Sequence, residues 1–162
     1  MTEAANLFEV ETRQDDDDPK GYETPYARIG PLVGGAALGA SVYVLNEGQS
    51  VCPYHYEYGS EEWLLVLEGR PTLRNPEGET ELQPGDVVCF PEGPAGGHKL
   101  TNRAGETARI VIFSTKHDPS IAVYPDSGKV GVWSGDGDVA MLVRRESAVD
   151  YWDGELPGEE AK

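Results

Sequence analysis

Hydrophobic and polar positions along this chain change over short runs, and no run keeps a helical period for long. Ser41 to Leu45 (SVYVL) alternates with period two, as a half-buried strand does, and Asn46-Glu47-Gly48 turns it back. After a turn at Tyr58-Gly59-Ser60, the run Trp63-Leu64-Leu65-Val66-Leu67 is apolar throughout and bounded by Gly69, which predicts a short buried strand. Thr72-Leu73-Arg74 and Glu79 to Leu82 flank the strong turn Asn75-Pro76-Glu77-Gly78, predicting a hairpin. Pro84-Gly85-Asp86 is a further turn, and Val87 to Phe90 (VVCF) reads as another buried strand. Ala108 to Phe113 (ARIVIF) is apolar on both sides, the signature of a strand inside a sheet. Tyr26 to Val33 is weakly patterned. Beyond Ser114 the spacing becomes irregular up to the short run Val139 to Val143.

Many short strands separated by turns, in a chain with 20 glycines and 12 prolines, predict an all-β sandwich or barrel. A length of 162 residues suits one domain with a real core. Residues 1–20, with Asp15-Asp16-Asp17-Asp18 before Pro19, predict a flexible acidic lead-in. The barrel then occupies 21–120. A C-terminal extension over 121–162 is expected to pack on it and to end in an acidic, disordered tail from Asp153.

A formal charge of −16 repels phosphate backbones and anionic lipid, so the sequence argues against nucleic acid and membrane surfaces as partners. No apolar run approaches the ~20 residues that span a bilayer, and MTEAANLFEVETR lacks a basic-then-apolar signal pattern. A cytoplasmic protein is the expectation. Cys52 and Cys89 read as reduced, buried thiols.

Candidate chemistry sits where polar side chains share parity with apolar ones. His55 and Glu57, two apart on extended chain, project to one face, while Tyr54, Tyr56 and Tyr58 project to the other and suit packing beneath the C-terminal segment or at an interface. Glu62 shares parity with Leu64 and Val66; a carboxylate on such a face is costly unless it is paired or bound to a cation. His98 shares a face with Leu100 and Asn102. His117, in a loop before Asp118-Pro119, reads as a solvated histidine, and Asp126-Ser127-Gly128-Lys129 as a turn, because it lacks the phosphate-loop pattern.

Two stretches carry a family resemblance. In the first, Gly48 is followed by six residues, His55-Tyr56-Glu57, four residues, Glu62, six residues and Gly69. In the second, Gly85 is followed by five residues, Pro91-Glu92-Gly93, four residues, His98, three residues and Asn102. The fifteen residues from Arg70 to Pro84 separate them. Together they resemble the two motifs of the cupin superfamily, in particular its small single-domain bacterial members, over roughly residues 40 to 115. The departures are one extra residue before His55, two extra before His98, and Glu57 where most members carry a second histidine.

The resemblance implies a cupin double-stranded β-helix, a jelly-roll-like barrel, and in many cases a homodimer. It also implies one divalent metal (Mn, Fe, Ni or Zn), with His55, Glu57, Glu62 and His98 as the candidate ligand set. His55, Glu62 and His98 alone would form a two-histidine, one-carboxylate triad, leaving Glu57 as a fourth ligand, as a catalytic proton carrier, or as the mark of a lost metal. Two function classes follow. One is a metal-dependent enzyme of oxygenase, decarboxylase or isomerase type acting on a small polar or carboxylated substrate. The other is a non-catalytic small-molecule-binding protein, with or without metal.

Overall fold

The computed structural model describes residues 4–135 and 138–156. Part of the expected acidic tail, residues 157–162, lies outside them. Nearly all the regular structure is antiparallel strand.

The first sheet is built around the strand that is apolar on both sides. β1 (Tyr26–Arg28), after which a single helical turn α1 (Ile29–Leu32) leads into β2 (Leu38–Leu45), pairs with that second strand, and β4 (Glu62–Glu68) lies beyond β3 (Tyr56–Tyr58) in the chain. A hairpin of β5 (Thr72–Asn75) and β6 (Gly78–Glu81) follows, closed at Asn75 and Gly78, and then come β7 (Val87–Phe90), β8 (Lys99–Thr101) and β9 (Ala108–Thr115). The sheet order is β1-β2-β9-β4-β7, with β9, the doubly apolar strand, at its centre.

The chain completes itself with β10 (Ser120–Tyr124), β11 (Lys129–Trp133) and β12 (Ala140–Arg144), in a second sheet ordered β12-β11-β10-β3. A third sheet runs β6-β5-β8. Bridges between Ser50 and Thr101 and between His55 and His98 join the approach to β3 with β8, so the second and third sheets connect along this seam. The main core lies between the walls and comprises Leu45, Leu64, Val66, Leu73, Leu82, Phe90, Leu100, Ala108 and Ile110, all buried. Leu64 and Val66 are 1% exposed and Trp63 is 46% exposed. The parity expected of β4 therefore holds, and it places Glu62 on the inner face.

Four expectations need correction. Residues 5–13 are not a free lead-in: Ala5, Leu7 and Val10 pack on the outer face of the first sheet against Ala27, Ile29, Val42 and Val111. Arg109 donates to the Leu7 carbonyl at 3.1 Å, and Arg13 bridges Tyr26. The apolar residues ahead of the aspartate run provide the burial; Asp15, Asp16 and Asp17 themselves are exposed. Second, the weakly patterned Tyr26–Val33 stretch supplies β1 and α1, because its pairing with β2 satisfies backbone groups that side-chain periodicity does not report.

Third, β7 is half-exposed, with Val87 55% exposed and Cys89 exposed, because it is the sheet edge and no layer among the described residues covers its outer face. Both cysteines are free, as expected, and Cys52 is half-buried. Fourth, the stretch expected to be irregular holds three regular strands, Ser120–Tyr124, Lys129–Trp133 and Ala140–Arg144. The Pro125–Ser127 turn, with Gly128 in the left-handed region at φ 62°, closes β10 onto β11, and five residues of β11 pair with β12.

Candidate metal centre

The site is held by a backbone arrangement that places two histidines opposite each other. His55 and His98 are directly paired: the His55 amide donates to the His98 carbonyl at 3.1 Å and the His98 amide to the His55 carbonyl at 2.8 Å. A pair that exchanges both backbone bonds carries its side chains on the same face. The two imidazole rings lie 4.6 Å apart and face the interior. Glu62 comes from the opposite wall, where β4 pairs with Phe90 of β7 and Ser114 of β9. Three residues distant in sequence thus meet between two sheets.

Each imidazole is oriented through its inner nitrogen. His98 Nδ1 is 2.9 Å from the Gly96 carbonyl and His55 Nδ1 is 3.1 Å from the Pro53 carbonyl. A carbonyl only accepts, so both Nδ1 atoms carry the proton and both Nε2 atoms keep a lone pair. Those lone pairs turn toward Glu62 Oε2, which lies 3.4 Å from His98 Nε2 and 3.8 Å from His55 Nε2. Ring stacking holds the same geometry. Phe90 lies on His98 at 3.8 Å with planes 7° apart, and Tyr124 stacks on His55 at 5.8 Å.

The electrostatics describe a site that is neutral without a cation. Burial, reinforced by the nearby Glu57 charge, pushes the Glu62 carboxyl up to about 8. Burial and the neighbouring His55 push His98 down to about 4, and burial also lowers His55. At neutral pH the group therefore holds a protonated carboxyl and two neutral imidazoles, the state in which no charge is buried unpaired.

This donor set fits a divalent ion. The ligand atoms of His55, Glu62 and His98 all lie within 4.8 Å of one another. Metal–ligand bonds of ~2.1 Å place neighbouring ligand atoms ~3.0–3.4 Å apart, so the observed spacing needs only a small contraction around an ion. Two imidazoles and a carboxylate suit Mn, Fe, Ni or Zn.

Of the four residues singled out in the sequence, these three come together. Glu57 stands outside the group of three: it is half-buried on β3, pairs in register with Ala122, and its carboxyl bonds Ser60. Its charge still reaches Glu62, and burial raises its own pKa, with the Ser60 bond opposing. His117 is exposed in its loop. Asn102 is fully buried and ties the end of β8 to Leu45 and Glu106 through their carbonyls at 2.9 and 2.7 Å.

A cavity of about 460 Å³, walled among others by Asp15, Asp18, Tyr22, Arg28, Tyr43 and Cys52, lies on the Nδ1 side of His55, and none of His55, Glu62 and His98 lines it. Cys52 connects cavity and centre, since its Sγ is 3.5 Å from His55 Nδ1. Burial and the Glu62 charge push the Cys52 thiol up to about 12, so it is a neutral wall rather than a thiolate ligand. Phe90, Tyr124 and Tyr43 carried no metal signal in the sequence. Cys52 alone had one positional hint, lying three residues before His55.

Comparison with curated proteins gives no match. Residues 41–114 match the cupin domain family. Among solved structures, a sugar phosphate isomerase from a cupin superfamily, from Silicibacter pomeroyi, is 24% identical with a TM-score of 0.78, over 93% of this chain and 98% of that one. A putative sugar phosphate isomerase from Acidithiobacillus ferrooxidans is 22% identical with a TM-score of 0.79, over 89% and 91%. A polyketide cyclase from Streptomyces resistomycificus is 22% identical with a TM-score of 0.60, over 74% and 84%. At these identities the likeness is one of fold, a cupin double-stranded β-helix. The motif-bearing strands and the antiparallel walls agree with the match: residues 41–114 carry a cupin domain, and the fold is that of the cupin double-stranded β-helix.

Proposed function

We propose that this protein binds one divalent metal ion through His55, Glu62 and His98 and acts on a small polar substrate. One observation carries the reading: two imidazoles, each fixed at Nδ1 by a carbonyl, aim their Nε2 lone pairs at a single carboxylate oxygen. When bound, the ion supplies Lewis-acid polarisation of a substrate oxygen.

Among oxygenase, decarboxylase and isomerase chemistry, isomerisation of a hydroxycarbonyl compound is the favoured class. The two neighbours that span nearly the whole chain are both named sugar phosphate isomerases. The reaction is redox-neutral and needs a group that takes a proton from one carbon and returns it to the next. Glu57 suits that proton transfer, because it lies beside the centre and its raised pKa brings its carboxylate nearer the basicity required.

The test is metal analysis of protein purified without tags or chelators, after Mn, Fe, Ni and Zn have been offered, followed by a panel of sugar phosphates and hydroxyketones. One bound ion per chain is expected, lost in His55→Ala and in His98→Ala. Glu57→Gln is expected to keep the ion and lose turnover. Substoichiometric metal under every condition overturns the assignment. Bound metal with no turnover on any compound, but thermal stabilisation by one of them, would make the protein a binding module instead.

A further inference from the structure

The cavity of about 460 Å³ on the Nδ1 side of His55 is assembled from three parts of the chain: residues 15–19, the β1–β2 pair, and residues 51–53. On the strand pair, Tyr26 and Tyr43 are register partners, as are Arg28 and Ser41. All four lie opposite Ala27 and Val42, whose side the N-terminal segment covers. They make the strand pair one wall of the cavity, to which the chain before β1 adds Asp15 and Asp18.

Two charged groups on these walls have no partner. Among the described residues, the exposed Arg28 makes no hydrogen bond, ion pair or ring contact. Each of the other arginines is held by a carboxylate, a carbonyl or a tyrosine. Asp18 is half-buried, and its carboxylate is likewise unpaired among the described residues, whereas Asp15 already accepts from the Tyr26 hydroxyl at 3.2 Å. Opposite charges thus line one space without pairing with each other. Neutral donors line it too. Tyr22 accepts from Lys99 Nζ at 3.0 Å, which leaves its own O–H to give. The Tyr43 and Ser41 hydroxyls bond each other, and such a pair uses one of its two protons and keeps the other.

The charge balance selects the ligand. A phosphate or a dicarboxylate would meet Arg28 but also face Asp15 and Asp18, and a plain amine would satisfy Asp18 while facing the free guanidinium. A molecule with a carboxylate at one end and an ammonium at the other satisfies both groups, each through a charge-assisted hydrogen bond. Its carbon body finds an apolar surface on the stacked Tyr26 and Tyr43 rings, 6.1 Å apart, and on Val51.

We propose that this cavity is a second binding site that takes a small zwitterion of the amino-acid class, its carboxylate on Arg28 and its ammonium on Asp18. None of His55, Glu62 and His98 lines the cavity, so the inference stands apart from the metal and from the reaction.

The experiment is a thermal melt of the full, chelator-treated chain with L-α-amino acids, straight-chain ω-amino acids of increasing length, and glycine-containing dipeptides, which vary the separation of the two charges. At about 10 mM, a probe with a Kd of about 1 mM raises the midpoint by roughly 3 °C. At least one set of probes should do so, with calorimetry giving one site per chain. The amine and the carboxylic acid made by removing either charged group from the best probe should each bind about 10-fold more weakly or worse, the loss of one charge-assisted bond. Arg28→Gln should hold the zwitterion only as tightly as wild type holds the amine, and Asp18→Asn only as tightly as wild type holds the acid. Neither side chain has a partner to lose, so both variants should melt at the wild-type midpoint without ligand. A panel in which no probe raises the midpoint overturns the inference. So does an amine or an acid that binds as tightly as its zwitterion, and so does either variant keeping wild-type affinity.

Discussion

Replacing Glu62 by glutamine tests the buried carboxyl at the centre of the site. The carboxyl moves from an ordinary 4.5 to about 8 in the folded chain, and its side chain is only 15% exposed, so the shift acts on stability without much solvent screening. Below 4.5 the group is protonated in both folded and unfolded chains. Between 4.5 and 8 the folded chain keeps a proton that the unfolded chain has released, so stability falls as pH rises; above 8 the loss is complete. The imidazoles, which burial holds below their ordinary value in the fold, release their unfolded-chain protons alike in wild type and variant, so their contribution cancels in the difference. At ~1.4 kcal/mol per pH unit, tapering near 8, the loss attributable to Glu62 from about pH 6.5 to about 9 is ~2 kcal/mol.

Urea unfolding of metal-free protein at those two pH values measures it. Wild type should lose ~2 kcal/mol more than Glu62→Gln across the interval. Burial is the first cause that raises Cys52 and Tyr43, so both stay neutral in the fold across this interval with or without the Glu62 charge, and their unfolded-chain titration cancels in the difference. A bound divalent ion should abolish the wild-type loss by favouring the carboxylate, and should do nothing comparable for the glutamine variant. Equal pH slopes for the two metal-free proteins would refute the argument that this carboxyl is buried at a cost and kept for a cation.

Two further changes probe the frame around the centre. Asn102→Ala removes both side-chain bonds to carbonyls and the 3.0 Å bond that its Oδ1 accepts from the Ala104 amide, all at a fully buried position. It should cost ~2–4 kcal/mol in denaturant unfolding without changing metal stoichiometry in the folded fraction. Gly69→Ala places a Cβ 2.6 Å from both Ala108 Cα and the Thr107 carbonyl oxygen, at φ 75°, next to the register shift between Val66 and Glu68. Backbone cannot retreat as a flexible side chain would, so a loss of ~1–3 kcal/mol or more should appear as a lower thermal midpoint; an unchanged midpoint would mean that the β4 to β9 contact is not needed.

Much of the fold was readable because strand periodicity is local. The apolar run after Glu62, the hairpin at Asn75 and Gly78, and the doubly apolar Ala108–Phe113 each state their burial within a few residues. The same parity correctly put Glu62, His98 and Asn102 on inner faces. The readings that failed depended on what lay over a strand. The outer face of β7 is bare because none of the described residues covers that sheet edge, and Leu7 and Val10 are docked because the first sheet offers them an apolar surface.

The sequence by itself determined the strand periods, the turns and the presence of residue types that can ligate a metal, since these are properties of neighbouring residues. The spacing of Gly48 to Gly69 and of Gly85 to Asn102 even paired His55 with Glu62 and His98 through the cupin resemblance. Only the tertiary structure decided the rest. It set two histidines in one backbone-bonded pair, brought the carboxylate from the facing wall to 3.4 Å, fixed each Nδ1 with a carbonyl and left Glu57 outside the group of three. The reason is physical: parity says which face a side chain takes, whereas distances across a barrel follow from how two sheets pack, and no single strand carries that information.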